Sequence, residues 1–164
     1  VTVDLDFHND IHPPNKIDVG ERLARWPLAK VYSHKVRFSG PLYRSIKIKD
    51  SAIHVAFDHV GEGLMIGKAG VGRVTELKDG ILNGFEVADR TGAWHAAKAD
   101  IQGEGVVVKS AAVKEPVAVR YACHPQASKN RPWNLYNKAG LPASPFCSDW
   151  SRMPYDPTHN PMPR

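Results

Sequence analysis

The segment SIKIKDSAIHVAF, residues 45–57, alternates apolar and polar side chains on both sides of the turn signal Lys-Asp-Ser. Because successive side chains of a β-strand point to opposite faces, this alternation predicts a β-hairpin with one buried face. The candidate residues of that face are Ile46, Ile48, Ile53, Val55 and Phe57.

Short runs of the same kind continue beyond the hairpin, among them GFEVAD, VVVKS and VAVRYAC, with turn signals such as GEG, KDG and QGEG between them. Several short strands at this spacing are typical of an antiparallel β-sandwich. We therefore predict a mainly antiparallel β-sandwich with a returning tail over residues 36–147. Residues 148–164 are rich in proline and polar side chains, and we predict that they are disordered.

The N-terminal part of the chain has a different pattern. The run VTVDLDF, residues 1–7, is strand-like, and the loop HNDIHPP leads from it to apolar residues at helical spacing over residues 15–35. The two prolines that close this loop suit a helix start, whereas Pro27 should kink the helix or end its regular bonding. Residues 1–35 are thus predicted to form a strand, a loop and a helix.

The bulk composition limits the class of protein. A chain of 164 residues is one domain, or parts of two small ones. The net charge of +5 comes from scattered Lys and Arg, not from a stripe that tracks phosphates, so we predict no nucleic-acid partner. No run of 18 apolar residues occurs, so we predict no membrane span. A strand-like run at residue 1, without Met, indicates a start that has been cut.

His12 is the main candidate for chemistry. A histidine in a loop after a strand end is a frequent general-base position, although many such residues are simply exposed. Asp10 precedes it by two residues and is placed to orient the imidazole, or else serves as a turn or capping residue. His8, Asp10 and His12 together are an alternative metal-binding group, but the sequence offers no distant fourth ligand, so we predict no metal.

The glycine-rich stretch GEGLMIGKAGVGR, residues 61–73, fails as a phosphate-binding loop, because Lys68 is followed by Ala69 and the glycine spacing is one residue too long. We predict a loop between strands there. Cys123 and Cys147 are either a disulfide or two free thiols.

Several segments, in order, resemble the sialate O-acetylesterase family. The segment VTVDLDFHNDIHPPNKIDVGERLARWPLAKVY is similar to the end of that family's catalytic domain, with its D-I-H-P-x-N-K loop and G-E-R-L-A helix. The segments FSGPLYRSIKI, AIHVAFDHVGEGL, LNGFEVADRTGAWHAAKADI, VAVRYAC and NLYNKAGLPASPF are similar to its C-terminal β-domain. The resemblance implies that residues 1–35 are an α/β remnant, the last strand and helix of an SGNH-type hydrolase domain.

In such an enzyme a serine attacks the acetyl carbonyl and a histidine takes its proton. The resemblance places that histidine at His12 and the acidic position at Asp10. Because residue 9 is Asn where the wider superfamily has Asp, the alternatives of a triad and a Ser-His dyad stay open. The family's G-Q-S-N nucleophile segment is absent from the sequence, and Ser39 and Ser144 fit structural roles.

The resemblance therefore implies a C-terminal portion, inactive alone, whose partner is a missing N-terminal catalytic segment. The implied substrate is an O-acetylated sugar, by resemblance sialic acid, and no cofactor is implied. The implied location is secreted, periplasmic or lysosomal. The rival hypothesis is a non-catalytic β-sandwich that binds carbohydrate or a partner domain.

Aromatic residues of the β-domain allow two interpretations. Trp133 and Tyr136, with Asn134 between them, either stack on a sugar ring or pack against the catalytic domain, and we favour packing. Trp94 alternates with Ala96 and is predicted to lie in the core, as is Met65.

Overall fold

The computed structural model describes residues 1–5, 12, 14–123, 133–149 and 151. These residues contain one α-helix, α1 (Lys16–Lys30), and eleven β-strands. The strands are β1 (Leu42–Lys49), β2 (Ala52–Asp58), β3 (Leu64–Gly70), β4 (Arg73–Glu76), β5 (Phe85–Ala88), β6 (Trp94–Ala96), β7 (Lys98–Gln102), β8 (Gly105–Lys109), β9 (Ala118–Tyr121), β10 (Leu135–Asn137) and β11 (Phe146–Cys147).

The strands form three antiparallel sheets, with strand orders β1-β2-β8-β7, β10-β3-β4 and β11-β9-β5-β6. All three sheets contribute to one hydrophobic core, in which Ile53, Val87, Val119 and Leu135 are completely buried. Of the predicted antiparallel β-sandwich, the antiparallel, β-rich character is therefore confirmed. The sandwich arrangement and the assignment of residues 1–35 to an SGNH-type domain stay predictions. The boundaries predicted at residues 35 and 147 stay predictions.

The predicted hairpin is β1–β2, and its two-residue turn fixes the pairing of the strands, with Lys49 opposite Ala52. Asp50 and Ser51 have φ values of 50° and 60°, as the two central residues of a tight hairpin turn require. On β2, Ile53, Val55 and Phe57 are buried as predicted. The prediction for Ile48 is wrong, since it is 48% exposed. Strand β1 lies at the sheet edge, and Ile48 pairs with Ile53 next to the turn, where little covers it.

The glycine-rich stretch is not the predicted loop, because β3 and β4 form a hairpin there. A side chain at Gly67 would lie 2.6 Å from the ring of Tyr136 and 2.6 Å from Val74. The absence of a side chain at Gly67 therefore lets the ring of Tyr136, on β10, pack across β3. Met65 is buried on β3, as predicted.

Trp94 is not a core residue. It lies half-buried on the edge strand β6, and the Arg120 guanidinium lies 4.4 Å from its ring centroid. Arg120 also donates to Glu86 over 2.8 Å, so this face of the sheet is polar. The alternation of Trp94 and Ala96 shows that the two side chains lie on the same face of the strand. It does not show whether that face is turned to the core or to solvent.

Cys123 and Cys147 do not form a disulfide with each other. The Cys123 thiol donates to the Phe146 carbonyl over 3.2 Å, and the Cys147 thiol donates to the Asp149 carbonyl over 3.1 Å. Burial raises the pKa of Cys123.

The predicted N-terminal strand is not found over residues 1–5, which form a turn in which the Leu5 N–H donates to the Thr2 carbonyl over 3.2 Å. A strand needs a partner strand for its hydrogen bonds, and residues 1–5 have none in the described part of the chain. The predicted helix is confirmed as α1, which ends three residues after Pro27. Within the described ranges, no helix is long and apolar enough to cross a membrane.

Candidate functional site

His12 lies three residues before Asn15, the N-cap of α1, and is exposed. Asp10 and His8 lie outside the described residues, so the orienting role of Asp10 stays a prediction, and so does the expectation that His8, Asp10 and His12 hold no metal. Among the residues that are described, no three metal-binding side chains cluster. An exposed imidazole at this place is accessible to a group supplied from outside the β-domain.

The start of α1, next to His12, is fixed by buried polar contacts. The Asn15 side chain accepts from the Asp18 N–H over 3.1 Å and donates to the Asp18 carboxylate. Asp18 is buried and also accepts from the Gly72 N–H, with distances of 3.0 and 3.2 Å to its two oxygens. A carboxylate in the first turn also interacts favourably with the helix dipole. Asp18 thus ties the beginning of α1 to the β3–β4 turn.

Replacing Asp18 by alanine is expected to lower the free energy of unfolding by about 1–3 kcal/mol, because the hydrogen bonds that its buried carboxylate accepts from the Gly72 N–H and the Asn15 side chain are lost. Urea unfolding of the 164-residue chain measures this difference. Glu21→Ala is the matched control, since the exposed Glu21–Arg25 pair on the same helix is worth at most about 0.5 kcal/mol. Equal effects of the two substitutions would contradict the assigned role of Asp18.

A second buried cluster joins the N-terminal segment, the helix and the β-domain. The Asp4 carboxylate accepts two hydrogen bonds from the Arg22 guanidinium, over 2.6 and 2.9 Å, and one from the Tyr136 hydroxyl over 2.8 Å. The side chains of Asp4 and Arg22 are only 2% and 11% exposed. Arg22 also donates to the Val1 carbonyl over 3.0 Å. The cluster therefore holds residues 1–5 against α1.

Electrostatics in this cluster favour the charged arginine and the neutral tyrosine. Burial lowers the pKa of Arg22, but the hydrogen bond and the charge of Asp4 outweigh this, so its pKa is raised. Burial raises the pKa of Tyr136 well above its ordinary value, and Asp4 raises it further. Tyr136 is therefore a hydrogen-bond donor at neutral pH, and the cluster acts as a structural anchor.

Tyr136 and Asn134 pack within the protein and do not present themselves to a ligand. Both are buried, and Asn134 accepts from the Asn83 N–H over 2.9 Å and donates to the Ile81 carbonyl over 2.8 Å. Trp133 is half-buried and packs against the core. Tyr136 is therefore packed, and its hydroxyl donates to Asp4 in the N-terminal segment. Packing against a catalytic domain stays a prediction.

The two serines considered as nucleophiles have structural contacts. The Ser39 hydroxyl donates to the Gly40 carbonyl over 2.9 Å, and the Ser39 carbonyl accepts from the Asn137 side chain over 3.0 Å. The Ser144 N–H donates to the Pro41 carbonyl over 3.1 Å. These bonds join residues 39–41 to β10 and to the segment before β11.

A histidine–carboxylate pair that the sequence analysis missed lies on the β5–β6 turn. His95 Nε2 is 2.7 Å from Asp89 Oδ2, and the Thr91 hydroxyl donates to Asp89 Oδ1 over 2.6 Å. The hydrogen bonds from Thr91 and His95 lower the pKa of Asp89 far below its ordinary value. Asp89 also accepts from two backbone N–H groups of the turn, so the pair stabilises that turn. The available signal was the motif DRTG, which is typical of a side-chain-bonded turn.

An apolar cleft of about 260 Å³ lies between α1 and the β-domain. Its lining includes Val1, Leu23, Trp26, Phe38 and Leu42. The Trp26 and Phe38 rings meet edge to face, with their centroids 5.2 Å apart. The cleft opens beside the outer face of the helix, where Leu23 is exposed.

The described residues thus form an antiparallel β-domain, and one helix is anchored to it by buried polar contacts. Among solved structures, the crystal structure of a carbohydrate acetylesterase from Xanthomonas citri shares this fold with a TM-score of 0.74 and 34% sequence identity. The match covers 89% of this chain and 31% of that chain, so this chain spans about a third of the length of the acetylesterase. No family model and no curated protein matches the sequence. The chain is thus related to a carbohydrate acetylesterase over most of its own length.

Proposed function

We propose that this chain is the C-terminal part of an SGNH-type carbohydrate O-acetylesterase, and that it supplies the catalytic histidine, His12. The observation that carries the proposal is the match to the Xanthomonas citri acetylesterase, with 34% identity across 89% of this chain. Because the sequence contains no G-Q-S-N segment, the nucleophilic serine comes from polypeptide outside these 164 residues. Alone, the chain is therefore inactive.

In the proposed reaction the serine oxygen attacks the acetyl carbonyl carbon while His12 accepts the hydroxyl proton. The tetrahedral intermediate collapses, the bond to the sugar oxygen breaks, and His12 returns the proton to that oxygen. Water then attacks the acetyl-serine, again losing a proton to His12. Acetate leaves, and the proton returns to the serine oxygen.

Two structural features support this role for His12. Its side chain is exposed, so an external serine can approach it. Its loop leads into a helix start that Asn15 and Asp18 fix to the β3–β4 turn. A base acts efficiently only when it is held within hydrogen-bond reach of the proton that it removes. Asp10 is the proposed orienting residue, and a Ser-His dyad is the alternative.

The proposed substrate is an acetyl ester on a sugar hydroxyl, with O-acetylated sialic acid as the particular sugar. The resemblance of the helix and β-domain segments to sialate O-acetylesterases supports this choice. The positive net charge of +5 is in keeping with an acidic sugar, because it attracts anions over the surface.

A graft tests the proposal. The region of the Xanthomonas citri acetylesterase that aligns with this chain is replaced by residues 1–164, and hydrolysis of p-nitrophenyl acetate and O-acetylated sialic acid is measured. We expect the graft to hydrolyse both esters, whereas the 164-residue chain alone hydrolyses neither. A graft that unfolds cooperatively but shows no hydrolysis above the buffer rate would refute the proposed function.

A further inference from the structure

Helix α1 packs against the β-domain with its polar face. The inward side chains follow helical spacing at Asp18, Arg22 and Arg25. Asp18 accepts from Gly72, Arg22 donates to Asp4, and Arg25 donates to the Arg37 carbonyl over 3.2 Å. A helix on the surface of a single domain normally turns its apolar face inward, so α1 has the reverse arrangement.

The opposite face of α1 is apolar and uncovered. Ile17, Leu23 and Val31 are 68%, 70% and 71% exposed. Between them lie Gly20 and Ala24, both exposed, and a side chain at Gly20 would meet nothing within 4 Å. Small residues beside large apolar ones allow a second element to approach the helix closely. An exposed apolar patch of this kind marks an interaction surface.

This apolar face continues into the cleft between α1 and the β-domain. Leu23 belongs to both surfaces, and Val1 and Leu42, at the other side of the cleft, are also exposed. The uncovered surface therefore runs from the outer side of the helix to the first strand of the β-domain. His12 lies in the loop that begins this same helix.

We propose that the apolar face of α1 (Ile17, Gly20, Leu23, Ala24 and Val31) is the docking surface for the serine-bearing catalytic part of the acetylesterase. This inference rests on the proposed function. The chain matches 31% of the Xanthomonas citri protein, so most of that protein lies outside the match and is available to cover this face. A second copy of this chain would cover the face without bringing the missing serine close to His12.

Cysteine labelling tests the docking surface directly. Leu23→Cys and Ile17→Cys are introduced separately into the 164-residue chain and into the graft, and the labelling rate at each site is followed by mass spectrometry. We expect both sites to react at least about tenfold more slowly in the graft, the factor that corresponds to 1.4 kcal/mol. Ile81→Cys is the matched control, since Ile81 is 79% exposed on the segment between β4 and β5 and should react equally in both proteins.

Equal labelling of Leu23→Cys and Ile17→Cys in the two proteins would overturn the proposal, because the face would then be open in the complete enzyme. Protection in the 164-residue chain that grows with its concentration would also overturn it, since a second copy would be the occupant. The activity of the graft separates the proposed esterase function from the proposed docking surface. If the graft is inactive but both cysteines are protected, the proposed function is wrong and the docking surface is supported. If the graft is active but both cysteines react freely, the proposed function is supported and the docking surface is wrong.

Discussion

The His12→Ala substitution in the graft is expected to lower kcat for acetyl ester hydrolysis by on the order of 10³-fold or more, as for other members of serine–histidine catalytic groups. Without the imidazole, the serine hydroxyl keeps its proton and the departing sugar oxygen receives none. Because these transfers belong to the transition state, KM should change little. Steady-state kinetics with p-nitrophenyl acetate measures both constants.

The control is His54→Ala, which removes another exposed histidine, on β2, and should leave kcat unchanged. Asp10→Ala then separates the two alternatives for the third residue. A large loss of kcat indicates a triad, and a loss of a few-fold indicates a dyad. If His12→Ala itself costs only a few-fold, the general-base role is wrong, and a non-catalytic carbohydrate-binding β-domain becomes the better description.

The sequence predicts the parts of this fold that depend on neighbouring residues. The alternation over residues 45–57 predicts the β1–β2 hairpin because its two strands are consecutive and its turn lies between them. It does not predict that β2 pairs with β8, or that β3 pairs with β10, since those partners lie far along the chain. The exposure of Ile48 and the failed strand at residues 1–5 have the same cause. In both cases the outcome depends on what lies beside the segment, not on its own pattern.

In the candidate site, too, the sequence predicts what depends on neighbouring residues and does not predict contacts between residues far apart in the chain. His12 is predictable because a histidine and two prolines stand together between an apolar run and a helix. The anchors that fix its surroundings are not predictable, because Asp18 meets Gly72, and Asp4 meets Arg22 and Tyr136, only after folding. The helix pattern itself contained a usable signal. Its apolar residues are opposite its charged stripe, and only the structure shows that the charged stripe faces inward.

The buried cluster of Asp4, Arg22 and Tyr136 leads to the largest expected effect on stability. Replacing Asp4 by alanine removes the acceptor of two guanidinium hydrogen bonds and one hydroxyl hydrogen bond. Removing one member of a buried ion pair costs about 3–5 kcal/mol, because the other charge is left uncompensated. Since Arg22 keeps its bond to the Val1 carbonyl and some exposure, we expect a loss of about 3 kcal/mol in the free energy of unfolding. Urea unfolding followed by circular dichroism measures it.

Two further variants show whether that loss comes from the buried charge. Tyr136→Phe removes one hydrogen bond and should cost about 1 kcal/mol. Asp58→Ala breaks an exposed ion pair, in which Arg44 lies 3.4 Å away and both side chains are more than half exposed, and should cost less than about 0.5 kcal/mol. The expected order is therefore Asp4→Ala, then Tyr136→Phe, then Asp58→Ala. If Asp4→Ala proves no worse than Asp58→Ala, residues 1–5 do not bury this carboxylate in solution, and the N-terminal segment is not anchored to α1 as described.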